Sequence, residues 1–314
     1  MRESHLVSAV IPTYNCADLV CDAVESALGQ TWPQCEVIVV DDGSTDDTLS
    51  RLARFGNAIS LVAQDHRGPA AARNAGIRAS RGDLVAFLDA DDIWLPEKVS
   101  RSVEALDRRP EAGVVFTAVR VCEVETGLRY VLPQYVRDGW MARDLFLECR
   151  GVNTSTLVVR RAALERVGLF DESLFRAQDW DLMLRLAEEY PYVRVPEVLT
   201  ERRIHSRSLS ATHAHLYKEY NLRVIEKALA RRPELYGALR RRALSLAYLR
   251  FGLAHYREFR LREARREFVR ALTWRWNMTA LDYLLRTFLP AGLIRTMRRA
   301  KIARQAAASN LGES

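Results

Sequence analysis

Two stretches of this chain run from an apolar strand straight into a cluster of carboxylates, and few folds accommodate that. Leu84-Val85-Ala86-Phe87-Leu88 is followed by Asp89-Ala90-Asp91-Asp92, and Glu36-Val37-Ile38-Val39-Val40 by Asp41-Asp42-Gly43-Ser44-Thr45-Asp46. A continuous apolar run that ends this abruptly reads as a strand buried on both faces, the mark of a parallel sheet covered by helices. Ligands of such sheets bind outside the carboxyl ends of the strands, where both acid clusters fall. Taken alone, Asp89-Ala90-Asp91-Asp92 leaves two readings open. It is a seat for a divalent cation and the phosphates it carries, or Asp91 or Asp92 caps the helix beginning near Pro96-Glu97.

The surrounding chain sets these stretches in an alternating pattern. Val7 to Pro12 reads as a first strand, with Pro12 at its end because it cannot donate to a ladder. Leu19, Val20, Val24, Ala27 and Leu28 then recur at helical spacing. After the second strand, Ser44, Thr45 and Asp46 cap a helix reaching Phe55, while Asp41 and Asp42 precede the turn and are poorly explained as caps. Ile59 to Ala63 is a third strand, and Gly68-Pro69-Ala70-Ala71-Ala72-Arg73-Asn74-Ala75-Gly76 opens a helix of small residues that can approach the sheet closely. Arg73 reads equally as a solvated helix residue or an anion contact. Four strand-helix alternations argue for an α/β fold with a mostly parallel sheet and right-handed crossovers.

Beyond Arg108 the rhythm changes. Val114 to Val121 and Arg129 to Leu132 read as a hairpin around Glu125-Thr126-Gly127, Trp140 to Cys149 as a short helix, and Asn153 to Arg160 as a strand. Asn153-Thr154-Ser155 also matches a glycosylation acceptor, which carries no weight without a sign of secretion. Leu182, Met183 and Leu186 mark a helix whose first turn holds Asp179 and Asp181, where the helix dipole alone could account for both carboxylates. A strand from about Val193 to Leu199 leads to Arg202-Arg203-Ile204-His205-Ser206-Arg207-Ser208, and from about His213 onward the chain reads as helical. Tyr248, Gly252, Ala264, Phe268 and Ala271 fall as in one tetratricopeptide-like helical hairpin.

Charge divides the chain in the same place. Residues 1–200 hold 22 Lys and Arg against 31 Asp and Glu, and residues 201–314 hold 25 against 9. The expected organisation is an α/β domain over residues 1–211 and a basic all-α extension over 212–314. Within that extension, the apolar-rich stretch Leu281 to Ile294 is followed by Arg295, Arg298, Arg299, Lys301 and Arg304. Two readings stand: a peripheral contact with anionic lipid through residues 281–304, or a solvated basic helix. No segment approaches the ~20 apolar residues that span a bilayer. The five cysteines, Cys16, Cys21, Cys35, Cys122 and Cys149, form no metal-ligand spacing, and no secretory h-region opens the chain, so a cytoplasmic setting is expected, with the inner membrane face as the place of any lipid contact. Basic charge without interleaved aromatics or a binding motif argues against nucleic acid.

Taken together, Val10-Ile11-Pro12-Thr13-Tyr14-Asn15, Val39-Val40-Asp41-Asp42-Gly43-Ser44-Thr45-Asp46, Ala72-Arg73-Asn74-Ala75-Gly76, Phe87-Leu88-Asp89-Ala90-Asp91-Asp92 and Gln178-Asp179-Trp180-Asp181 resemble glycosyltransferase family 2. The resemblance covers residues 5 to 210 or so, in the family's order. It implies a GT-A fold, a Rossmann-like nucleotide-binding half joined to an acceptor half, and inverting transfer of one sugar from a nucleotide-diphosphate donor, commonly a UDP-sugar, to a saccharide or lipid-linked acceptor. By the same resemblance Pro12, Tyr14 and Asn15 line the base pocket, Asp41 meets the uracil edge, Asp42 supports the nucleoside, and Arg73 lies near base and diphosphate. Asp89 and Ala90 complete the nucleotide set, while Asp91, with Asp89 and His205, holds Mg2+ or Mn2+. Asp179 is the general base, with Asn153, Thr154, Gln178 and Trp180 near the sugars.

A diphosphate leaving group gains charge as its glycosidic bond breaks, which a hard cation stabilises, and a sugar hydroxyl needs a carboxylate to take its proton. Two departures from the family pattern stand out. Gln178 replaces the usual Glu before the base, and the chain lacks the Gln-x-x-Arg-Trp motif and transmembrane helices of processive synthases, so one sugar per encounter is expected. Two other readings are a sugar-phosphate nucleotidyltransferase, for which the Gly-rich phosphate loop is missing, and a docking module that uses the basic helices.

Overall fold

The computed structural model describes residues 5–133, 138–148, 152–206, 216–290, 292–294 and 296. Cys149, Arg207, Ser208, His213 and the cations Arg295, Arg298, Arg299, Lys301 and Arg304 lie outside the described residues. The chain divides into two compact units, Met1–Thr212 and His213–Ser314.

In the first unit, strands β1 (Val7–Thr13), β2 (Cys35–Asp41), β3 (Ser60–Ala63) and β4 (Leu84–Phe87) alternate with helices α1 (Val20–Leu28), α2 (Thr48–Leu52) and α3 (Pro69–Ala79). These strands pair in parallel in the order β3-β2-β1-β4, with Val10 opposite Ile38 and Phe87, so Thr13, Asp41 and the residues after Phe87 emerge at one edge. In β1 and β4 the hydrophobic runs form strands because both faces are covered: every residue of β4 is buried, as are Val7, Ala9, Val10 and Ile11, whereas β3 at the sheet edge is largely exposed. The small-residue helix α3 packs as its composition predicts. A Cβ on Gly76 would collide with Val10 Cγ1 and lie 3.1 Å from Val40 Cγ2.

The second half of the sheet is mixed. β5 (Ile93–Trp94), α4 (Lys98–Asp107), β6 (Val114–Glu123), β7 (Arg129–Val131), α5 (Ala142–Leu147), β8 (Leu157–Arg160), α6 (Arg161–Val167), α7 (Gln178–Glu189) and β9 (Tyr192–Ile204) extend the order β4-β8-β6-β9-β5. β6 and β7 form the expected antiparallel hairpin. Two departures from the sequence reading shape the site. Thr154–Thr156 is a 3-10 turn rather than strand. β9 does not stop at Leu199: its pairing with β6 skips Pro196 and Glu197, because proline cannot donate to the ladder, shifts again past Leu199, and runs through Ile204. Arg203, paired with Cys122, lies in this last stretch of β9.

In the second unit, helices α8 (Leu216–Arg231), α9 (Pro233–Tyr236), α10 (Arg240–Arg257), α11 (Leu261–Trp274) and α12 (Met278–Arg286) follow one another. The α10–α11 hairpin closes where a Cβ on Gly252 would strike the Phe268 ring, and Ala264, Phe268 and Ala271 are fully buried. No helix among the described residues is long and apolar enough to cross a membrane.

Beneath the sheet, Lys98 is fully buried, its Nζ donating to the Leu157 carbonyl at 3.2 Å and lying 4.3 Å from the Trp94 ring centroid. Burial pushes its pKa down to about 7, a fall that Cys35 opposes. A folded-state value below 10.5 means that the unfolded chain binds more protons between these pH values. The Lys98 penalty is therefore largest at and below pH 7 and fades as pH rises. Between pH 7 and 9, Lys98→Met should show a flatter rise of stability with pH than the wild type, by at most ~1.4 kcal/mol per pH unit, in chemical denaturation. Parallel pH profiles would count against it.

Candidate active site

The edge where β1, β2 and β4 end gathers the predicted residues into three clusters. In the first, Thr13 and Asp41 are paired neighbours on adjacent strands. Asp41 is buried, and its Oδ2 accepts the Ser44 amide at 3.0 Å. Its Oδ1 and the Thr13 hydroxyl are buried with no partner among the described residues. A bare buried carboxylate oxygen is costly, which suits an acceptor kept for a ligand. Asp42 is used differently: it accepts from Gln64 Nε2 at 2.6 Å, the Arg67 amide at 3.0 Å and the Gly68 amide at 2.8 Å, fixing the loop into α3. His66 Nδ1 lies 2.9 Å from Asp42 Oδ2, and its ring stacks on the exposed Tyr14 with centroids 4.0 Å apart. Asn15 takes φ 47° and joins the two strand-end loops, its amide donating to Ser44 Oγ at 2.9 Å and its Oδ1 accepting the Thr45 amide at 2.8 Å. Pro12, the penultimate residue of β1, is partly buried.

Arg73 and Asn74 connect this pocket to the second cluster. Arg73 is buried, not solvated: Nη2 donates to Asp89 Oδ1 at 2.6 Å, the guanidinium lies 5.4 Å from the Phe170 ring, and Nε and Nη1 have no partner among the described residues. Unused donors on a fixed charge suit a diphosphate.

The turn after β4 is built from below by residues the motifs did not mark. The Asp92 amide donates to the Asp89 carbonyl at 3.0 Å, so the chain doubles back, and Ala90 is buried inside the turn. The Asp92 carboxylate points inward, accepting the Ser155 hydroxyl at 2.6 Å and the Arg203 amide at 3.1 Å. Ser155 Oγ also accepts the Asp89 amide at 3.1 Å. Arg203 donates to the Asp91 carbonyl at 2.6 Å, to Asp22 at 2.6 Å and to the Leu19 carbonyl at 3.1 Å. Burial, then the neighbouring Asp91 and Asp89 charges, hold the Asp92 carboxyl well above the usual carboxylate range. Neither Asp91 nor Asp92 caps a helix, because β5 intervenes before α4 begins at Lys98.

Asp91 remains partly exposed, 3.3 Å from His205 Nε2. Among the described residues, no three His, Cys, Asp or Glu side chains already converge as a cage. An oxygen and an imidazole nitrogen nonetheless suit Mg2+ or Mn2+ when phosphate oxygens and water fill the remaining positions. Asp89, expected to share that cation, spends one oxygen on Arg73.

The third cluster is the start of α7. Ala177 adopts a left-handed conformation, and Asp179, partly buried, turns back to accept the Trp180 amide at 2.8 Å. Gln178 Oε1 is buried with no partner among the described residues. Trp180 is held in the core, its indole donating to the Leu145 carbonyl at 2.8 Å, and Thr154 is buried as well. Asn153 is partly buried, with an Oδ1 that lacks a described partner. Ser155 and Arg203 had no sequence signal as site residues, since each acts through contacts distant in the chain.

The glycosyl transferase family 2 profile matches residues 8–168, and the chain belongs to that family. It is 29% identical over 214 residues to the Escherichia coli UDP-Glc:alpha-D-GlcNAc-diphosphoundecaprenol beta-1,3-glucosyltransferase WfaP, covering 66% of this chain and 80% of that one. It is 31% identical over 237 residues to E. coli chondroitin synthase, covering 74% of this chain but 34% of that longer protein. Among solved structures it is similar to S. aureus TarS 1-349 in complex with UDP-GlcNAc, with TM-score 0.64, 17% identity and coverage of 90% and 89%. It is also similar to the mannosyltransferase PcManGT from Pyrobaculum calidifontis in complex with GDP-Man and Mn2+, with TM-score 0.58, 21% identity and coverage of 98% and 87%. The fold is accordingly GT-A, and the chain is a glycosyltransferase.

The two adjacent aspartates at the turn should separate in stability measurements. Asp92→Ala leaves a hydroxyl and an amide without their buried acceptor and should cost ~2–5 kcal/mol, whereas Asp91→Ala should stay within ~1 kcal/mol of the wild type. Chemical denaturation of both variants checks this, and equal losses would contradict it.

Proposed function

We propose that this chain transfers one sugar, with inversion, from a UDP-sugar to a hydroxyl of a saccharide or lipid-linked acceptor. The observation that carries the donor assignment is the buried, unpaired Oδ1 of Asp41 at the strand end beside the Tyr14–His66 stack. A uracil ring offers one N–H to such an acceptor and a face to stack on the Tyr14 ring. Pro12 and Asn15 shape the same pocket. Arg73 offers its two unused donors to the diphosphate, and Asp89 orients that guanidinium while meeting the ribose.

Asp91 and His205, with Asp89, would hold Mg2+ or Mn2+. Bound there, the cation supplies charge stabilisation for the departing diphosphate. Asp179 accepts the proton of the attacking hydroxyl, and one such base suffices for a single inversion, without the second nucleophilic carboxylate of a double displacement. Gln178 beside it adds no second charge, and Asn153 and Gln178 have buried amide oxygens available for sugar hydroxyls.

The acceptor name printed for WfaP supports a diphosphate-linked lipid acceptor and a role in bacterial polysaccharide assembly. The helical unit suits that role at an anionic membrane face. Trp276, Met278, Leu285 and Phe288 are exposed around α12, and the sequence adds five cations after Ile294.

Two experiments test this reading. Metal-dependent release of UDP from a panel of UDP-sugars should fall ~100-fold or more in Asp91→Ala and in Asp179→Asn. Turnover that survives either substitution, or that needs no divalent ion, removes the assignment. Co-sedimentation with phosphatidylglycerol liposomes at low salt should weaken as salt screens the arginines; failure to co-sediment at low salt removes the membrane contact.

A further inference from the structure

Where α6 ends and the loop toward α7 begins, the carbonyls of four consecutive residues, Val167 to Phe170, are held by two side chains. Arg185, on the second turn of α7, donates through Nη1 to the carbonyls of Val167 and Gly168, each at 2.8 Å, and through Nη2 to the Leu169 carbonyl at 2.7 Å. Its Nε donates at 2.8 Å to Asp181, one turn earlier on α7 and buried. Asn74, on α3, takes the next residue as a strand partner would: Oδ1 accepts the Phe170 amide at 3.0 Å and Nδ2 donates to the Phe170 carbonyl at 2.9 Å. The adjoining Arg73 lies over the Phe170 ring. A continuous line of contacts therefore runs from the nucleotide pocket through residues 170–167 to Arg185, Asp181 and the first turn of α7, which carries Asp179.

Capping α6 would need far less. A lone helix end is commonly closed by a glycine, and Gly168 already provides the positive φ of 84°. A guanidinium spanning three carbonyls while anchored to its own helix fixes how α7 leaves the loop, and a planar fork does this where an ammonium cannot. We propose that Arg185 and Asn74 are positioning residues that set the placement of Asp179 relative to the donor pocket. This rests on Asp179 being the base.

The test is steady-state UDP release from UDP-glucose, UDP-galactose and UDP-GlcNAc with Mn2+, expressed per UDP-binding site counted by titration calorimetry. Arg185→Lys and Asn74→Ser should each lower kcat ~10–100-fold while the donor KM and the UDP Kd stay within about twofold. Free guanidinium ion should restore part of the kcat of Arg185→Ala. Wild-type kcat per site in both variants overturns the proposal. So does a loss confined to the number of UDP-binding sites, without guanidinium rescue, since that is the behaviour of a fold-maintaining residue. Asp179→Asn, run in parallel, separates the two readings. If it keeps wild-type turnover the base assignment fails and the positioning role with it, whereas an inactive Asp179→Asn beside a fully active Arg185→Lys sinks the positioning role alone.

Discussion

The acid turn depends on one buried carboxylate. Asp92 sits in the interior, where burial disfavours its charged form, and the Ser155 hydroxyl and the Arg203 amide both donate to it. Those two donors come from the 3-10 turn before β8 and from the far end of β9, so Asp92 joins three segments widely separated in sequence. Ser155 then reaches the Asp89 amide, and Arg203 the Asp91 carbonyl. With its interior oxygens and amides satisfied, the turn can leave the Asp89 and Asp91 carboxylates outward.

The same division of labour recurs at each acid cluster. Asp42 gives both oxygens to the loop entering α3, while Asp41 beside it keeps one oxygen unused. Asp181 is buried against Arg185, while Asp179 stays at the partly exposed start of α7. In each pair one carboxylate anchors the local structure, and its neighbour is the one that the proposed function assigns to a ligand. This is economical physically, because a carboxylate that must meet a ligand cannot also spend both oxygens on the protein.

Much of this was legible in the chain. Strands that are buried on both faces write themselves as unbroken apolar runs, so β1, β2 and β4 could be placed within a residue or two, and the acids that end them could be recognised. The small residues of α3 announced its close approach to the sheet. Harder to read were contacts between segments. The role of Asp92 could be taken for that of a cap because its donors, Ser155 and Arg203, lie 63 and 111 positions away. Arg73 was ambiguous for a similar reason: nothing local distinguishes a solvated arginine from one paired with Asp89 and stacked on Phe170.

By itself, the sequence determined the alternation of strand and helix, the position of the acids at strand ends, the family and the helical hairpin, because these depend on patterns that repeat over a few residues. Tertiary structure alone decided which acid of each pair is committed to local contacts, where β9 ends, and what holds α7 in place. Those outcomes follow from which distant donor reaches a given carboxylate or carbonyl first, and hydrogen-bond geometry between segments far apart in the chain leaves no periodic trace in the order of residues.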